Sequence, residues 1–341
     1  MNVAEFWAPW EVTVDSFDGI QDEVYRIFEK WSERGRTFAW RGQMDAAWPL
    51  HSSLYRRLSW STAGAVPKES DLAAQEREIL ADVHRWGLHM GEYGRLSVMN
   101  QLAMLQHYGS PTRLIDITFN PWIGLWFAVQ SRSIDQTSPQ PDVRVFAFDV
   151  TDRLINERDA ELREWEDGLQ VPWPRPVPQN AGTAAAASYR QWVTTAYAWR
   201  PPRFHPRLAA QNGAFLLGGV PSTGVMVWPK TSSAADGKWS IDEVRQATSV
   251  SMRVHKLGAE AGGPQSDAMY TIRIAAGAVE EIRRRLEELF GYRPLSIYPD
   301  YPGFSDFGTP GLRRTPPPTG VLRQAPRADR VPVLAARRMG V

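Results

Sequence analysis

Cysteine is absent from the 341-residue chain. Its absence removes disulfides, thiolate zinc sites and cysteine nucleophiles together, as suits a reducing compartment. The first residues, Met1-Asn-Val-Ala-Glu-Phe-Trp7, carry neither the basic nor the apolar region of a signal peptide. No apolar run approaches the length of a membrane span. A cytoplasmic protein without a membrane partner is therefore expected. The six histidines show no metal-ligand spacing, and His84 and His89 are five apart, off a single helical face. A site without a metal is expected. Also missing are a G-x-S-x-G elbow, a Walker-type phosphate loop, a G-x-G-x-x-G turn and any internal repeat. Gly218-Gly219 reads as a bare turn. Strong net charge is lacking too: the formal total is +1. Residues 309–341 hold seven Arg against one Asp, which makes that segment +6 and the remainder −5. The body thus has no global electrostatic footprint for nucleic acid, although a local basic patch remains open.

What is present is ordinary globular material, 43% hydrophobic and 23% charged, in a chain long enough for a large core. Fifteen tryptophans are many. Trp40, Trp48, Trp122 and Trp126 are expected chiefly as core filling. Ile20, Val24, Ile27, Phe28 and Trp31 recur at helical spacing, with Gly35 as a stop, and Thr37–Arg41 reads as a strand entering the core. Residues 48–56 read as loop running into a short helix. A long charged helix is predicted over 69–90 and a second over 95–108, ending at Gly109. Asn120-Pro121 looks like a cap and first turn of a helix through Val129. After a turn-rich linker at 136–142, Val143–Val150 is the clearest strand. Residues 170–188 resemble a surface insertion. Strands are expected at 211–217, 224–228 and 270–274, then a helix on Val279, Ile282, Leu286 and Leu289. Helices first and strands later indicate an α+β fold, a helix-rich N-terminal half packed on a small mixed or antiparallel sheet. The Pro- and Arg-rich segment from Thr309 has no periodicity and is expected as a disordered or docked tail.

Two stretches place polar groups where core is expected. Phe38-Ala-Trp-Arg-Gly-Gln43 sets a guanidinium after an apolar run, beside a glycine at which backbone could approach a ligand. Gln106-His-Tyr-Gly-Ser-Pro-Thr-Arg-Leu-Ile-Asp116 crowds His107, Tyr108, Thr112, Arg113 and Asp116 around a Gly and a Pro. Such groups are either a satisfied buried network or a site. Arg41 could pair with a buried carboxylate, Arg113 with Asp116 as a loop-holding ion pair, and His107 could be a helix-end residue.

These stretches, with Trp48-x-Leu50, Leu54-x-Arg56, Thr118, Asn120-Pro121 and Phe127-Ala128, resemble the FRG domain, named for a Phe-Arg-Gly-like motif. Here Trp40 stands where Phe is usual. Arg207-x-x-x-Gln211-x-Gly213-x-Phe215 and Ser296-Ile-Tyr-Pro-Asp300 resemble that family's later segments, so the likeness runs over about 20–303. It implies one FRG-type domain over 1–308, with a surface insertion near 151–200, and a tail at 309–341. It also implies a compact α+β fold, ADP-ribosyltransferase-like, in bacterial and phage-related proteins. Toxin-like and phage-defence members of the family are linked to ADP-ribosyl transfer.

On that resemblance the chain is expected to be an NAD-dependent ADP-ribosyltransferase, a toxin or antiviral effector. Its substrate is NAD, its acceptor an RNA, DNA or protein, and an antitoxin or chaperone its neutralising partner. Such chemistry needs donors for the diphosphate, aromatic faces for the nicotinamide and stabilisation of an oxocarbenium-like transition state. Arg41, Tyr108 and Gln211 are the expected catalytic residues. Arg41, Gln43, His107, Thr112, Arg113, Asp116 and Arg207 are the expected NAD-binding residues. Gln211 sits where such transferases often carry Glu, and an amide cannot neutralise positive charge. Catalysis with Gln211 is then slower, or another carboxylate such as Asp116 supplies it, or the chain is a non-catalytic nucleotide-, RNA- or protein-binding module using the same cleft.

Overall fold

Successive residues of the Phe38–Gln43 strand point to opposite faces, and each face meets its own core: Phe38 and Trp40 enter one, Ala39 the other. The computed structural model describes residues 2–32, 35–62, 64–91, 94–130, 139–155, 183–201, 206–224, 226–256 and 268–308. The N-terminal half is helix-rich. It runs α1 (Val3–Trp7), β1 (Glu11–Val14), α2 (Phe17–Ser32), β2 (Phe38–Gln43), α3 (Ser53–Ser61), α4 (Glu69–Arg85), β3 (Met90–Gly91), β4 (Gly94–Arg95), α5 (Val98–His107), β5 (Ile115–Thr118) and α6 (Pro121–Val129). Then follow β6 (Val143–Asp149), β7 (Leu154–Ile155), α7 (Ala184–Trp192), β8 (Ala196–Trp199), α8 (Pro206–Ala210), β9 (Gly213–Gly218), α9 (Ile241–Ala247), β10 (Arg253–Val254), β11 (Ala268–Ile274) and α10 (Val279–Phe290).

The class is α+β. The sheet is mixed and larger than expected: nine strands in the order β1-β11-β6-β2-β5-β9-β8-β7, with β10 also on β11. β1 and β10 pair parallel to β11, as β7 does to β8, and the central pairs are antiparallel. On one face α2, α6 and α10 cover β2, β6 and β11 through Ile20, Val24, Trp126, Ile282 and Leu286. Farther along, Leu80 of α4, Met99 and Leu102 of α5 and Trp192 of α7 cover Trp199, Phe215 and Leu217. Phe6 and Trp7 of α1 and Val244 of α9 close the opposite face over Phe146, Phe148 and Leu216.

Local chemistry explains the helix ends. Asn120 accepts from the Trp122 and Ile123 amides and Pro121 opens α6, while Gly291, at φ +67°, closes α10. No strand forms among the described residues of 224–228. Gly224 lies at φ +73° and Pro229 cannot donate, so the segment keeps only an isolated bridge from Pro229 to Lys238. β1, β5 and β8, four residues each, were not anticipated. Val143–Asp149 is buried along its whole length rather than on alternate positions, because it is a central strand. Its Arg144 is held by Glu11 at 2.7 Å, the Ala46 carbonyl and Thr271. Of the singled-out tryptophans, Trp40 and Trp126 are buried and Trp122 partly so, but Trp48 is exposed. The insertion expected at 170–188 falls mostly, and the tail at 309–341 wholly, outside the described residues.

Candidate functional site

β2 and β5 touch at one register position, Trp40 opposite Thr118, and part beyond it. Arg41 on β2 and Asp116 on β5 stand at the opening, and Arg41 Nη1 reaches across it to donate to the Asp116 carbonyl at 2.7 Å. α6 packs closely on β2 beside this opening. A side-chain carbon on Gly42 would lie 2.2 Å from the Gly124 carbonyl oxygen and 2.4 Å from the Ala128 nitrogen. Gly42 thus seats a helix and also lines the cleft.

A cleft of about 870 Å³ opens here. Asp116 is the one carboxylate among its described lining residues, against four guanidiniums: Arg41, Arg56, Arg207 and Arg245. Gln106, in the last turn of α5, fixes the carboxylate by donating to Asp116 Oδ2 at 3.1 Å. The Gln106 carbonyl oxygen accepts in turn from the Thr112 hydroxyl at 2.7 Å, so the amide can face only one way. Burial pushes the Arg41 guanidinium below its ordinary value, with Asp116 working against that shift. Arg56 follows the same pattern. Two buried atoms of cleft residues, Arg41 Nε and Gln43 Oε1, have no hydrogen-bond partner among the described residues. Unmet polar groups at a cleft are what a polar ligand or ordered water satisfies.

The far wall is a second polar cluster. Asp300 accepts from Arg207 at 2.7 Å and from the Gly303 amide at 2.7 Å, and its Oδ2 lies 3.9 Å from His107 Nε2. Burial pushes the Asp300 carboxyl up, but these donors and the Arg207 charge outweigh it and hold the group below its usual range. Arg207 also lies over the Tyr298 ring, 5.0 Å from its centre, and Tyr298 donates to Gln130 at 2.9 Å. Gln211 donates its amide to the Ile297 carbonyl at 3.1 Å, tying α8 to the C-terminal segment.

Of the residues singled out from sequence, Arg41, Gln43, His107, Asp116, Arg207 and Gln211 line the cleft. Three do not. Tyr108 is 68% exposed, turned to solvent at the end of α5. Thr112 is buried behind Gln106 and reaches the cleft only through it. Arg113 does not pair with Asp116. It is buried between Glu76, at 2.6 Å and 2.5 Å, and Glu69, at 2.9 Å, and it also donates to the Gly218 carbonyl. Burial alone would lower this guanidinium, but the two carboxylates raise it above its ordinary value. Arg113 and Asp116 belong to β5 or its approach, yet their side chains serve a core tie and the cleft respectively.

Residues 36–137 match the family model of the FRG domain. The match runs from the approach to β2 to just past α6, so the FRG segment contains Arg41, Arg56, Gln106, His107 and Asp116. No curated protein and no solved structure matches the chain. Arg207, Gln211, Tyr298 and Asp300 lie beyond the FRG segment and are brought to it by the fold. Gln106, Arg56 and Arg245 were not picked out as site residues. Gln106 opens the very motif that was read, but its amide gains a role only once Asp116 is seen beside it. Arg245 carries no local motif.

Proposed function

We propose that the cleft binds NAD and transfers its ADP-ribose to an acceptor, as a toxin or antiviral effector. The observation that carries this reading is Asp116: the one carboxylate among the described lining residues, oriented by Gln106 and accompanied by four guanidiniums in one cleft. A dinucleotide fits that chemistry. Planar guanidinium forks of Arg41 and Arg207 suit a diphosphate, and the Phe127 ring lines the cleft as an apolar surface for a base. In transfer, the bond between C1′ of the ribose and the nicotinamide nitrogen breaks, and its electron pair leaves with nicotinamide, which departs neutral. The acceptor's lone pair forms the new bond to C1′ and its proton passes to Asp116 or to water. Positive charge on the ribose during this exchange is what Asp116 stabilises. Gln211 then binds and orients rather than catalyses, since its amide nitrogen is committed to Ile297. A transferase of this kind would injure its own cell, so the reading includes a neutralising antitoxin or chaperone.

Gln211 also favours a second reading, a non-catalytic nucleotide-, RNA- or protein-binding module, because that position lacks a carboxylate. Nicotinamide release and NAD calorimetry separate the two. On the first reading the protein releases nicotinamide, Asp116→Asn lowers the rate by about 100- to 1,000-fold, and Arg41→Ala abolishes NAD binding. NAD binding without release points to the binding module. A folded protein that binds no NAD overturns the transferase.

A further inference from the structure

We infer that the cleft mouth formed by Trp48, Arg56 and Trp60, with Arg57 beside it on α3, binds single-stranded nucleic acid and presents one of its bases to Asp116 as the acceptor. The acceptor role rests on the transferase reading above. The contact surface rests on four observations. Trp60, on the last turn of α3, is 71% exposed, and Trp48 is 44% exposed, although both line the cleft. Most large aromatics in the described chain are instead packed into its cores. Arg56 and Arg57 stand four and three residues before Trp60, so all three share one helix surface.

Asp116 is the acidic group whose charge acts on Arg56 there. Arg56 donates to the His51 carbonyl at 3.0 Å and Arg57 to the Gly109 carbonyl at 2.8 Å, both neutral acceptors, and neither makes an ion pair among the described residues. From residue 46 to residue 68 the chain has no acidic residue, while Arg56, Arg57 and Lys68 are cationic. Exposed aromatic rings interleaved with guanidiniums are what a single strand requires: stacking for bases, charge for phosphates. A duplex does not suit, because its bases are already stacked on one another. A protein surface suits less well, since the residues one helical turn before Trp60 are Arg56 and Arg57 rather than the apolar side chains of an interface core.

The test is fluorescence anisotropy of labelled DNA and RNA single strands of about 12 nucleotides, with a duplex of the same sequence, on the full chain. Wild-type protein is assayed in parallel for NAD binding and for transfer of label from NAD to oligonucleotide or to lysate protein. Single strands should bind better than duplex and more tightly at low salt. Trp60→Ala should weaken binding by roughly 5- to 150-fold, the range of one stacked base, and Trp60→Phe should restore most of it. Trp60 is exposed, so neither variant removes core. A folded protein that ignores single strands, binding indifferent to Trp60→Ala, or label passing to protein alone overturns the inference. If NAD binding and nicotinamide release persist in those cases, the transferase reading stands. If oligonucleotide binding follows Trp60 but NAD does not bind, the contact surface stands and the acceptor role falls with that reading.

Discussion

His51 is buried beneath α3 with its Nε2 2.8 Å from the Arg245 carbonyl. Burial pushes its imidazole down from 6.5 to about 4, with the Arg245 carbonyl opposing and Arg56 reinforcing the shift. Between those values the unfolded chain takes up a proton that the folded protein refuses. Stability is therefore complete above about pH 6.5 and falls as pH drops towards 4, by up to about 3 kcal/mol. Urea titrations at pH 7 and pH 4.5 should show His51→Gln losing less stability than wild type over that interval, and equal slopes would refute the assignment. Arg113 makes a different demand. Arg113→Met strands the carboxylates of Glu69 and Glu76, both almost wholly buried, and should cost about 3–5 kcal/mol in chemical denaturation. Further replacing Glu69 and Glu76 with Gln should recover part of that loss. At this scale residue type was legible and partner was not. Arg113 and Asp116 are three apart in one motif, but strand geometry gives one to the core and the other to the cleft.

Helices were legible from periodicity and caps, and α2, α4, α5, α6 and α10 fall where apolar spacing and the Asn120 and Gly291 signals put them. Strands of four residues were not, because too few positions exist for alternation to stand out; Ile115-Asp-Ile-Thr118 alternates, but inside a polar motif that hides it. The contact of α6 with β2 is the decisive junction between elements. Gly42→Ala would force a methyl against α6 backbone and should destabilise by about 3 kcal/mol or more, beyond ordinary overpacking, because backbone rather than a side chain must move. Gly124→Ala meets the Trp40 side chain at 2.8 Å and should cost less. Thermal unfolding of both variants checks the ranking. If the proposed transfer operates, nicotinamide release by any folded fraction of Gly42→Ala should also fall, since α6 packs against the strand that carries Arg41.

The sheet draws on the chain from Glu11 to Ile274, and β11 lies between β1 and β6. β2 needs β6, and β5 needs β9, yet both partners fall outside residues 36–137. A fragment limited to 36–137 should therefore stay unfolded, with a collapsed near-ultraviolet circular dichroism signal and poorly dispersed amide resonances; a cooperatively folding fragment would contradict the sheet order. The sequence by itself determined the α+β class, the main helices and the likeness of its polar motifs to the FRG domain, because periodicity, caps and motif spacing are local. Only the tertiary structure decided which polar residues meet. Arg41 and Asp116 are 75 positions apart, and Arg207 and Asp300 93. Arg41 and Asp116 converge because β2 and β5 pair antiparallel, Arg207 and Asp300 because the C-terminal segment packs beside α8, and no local pattern encodes either separation.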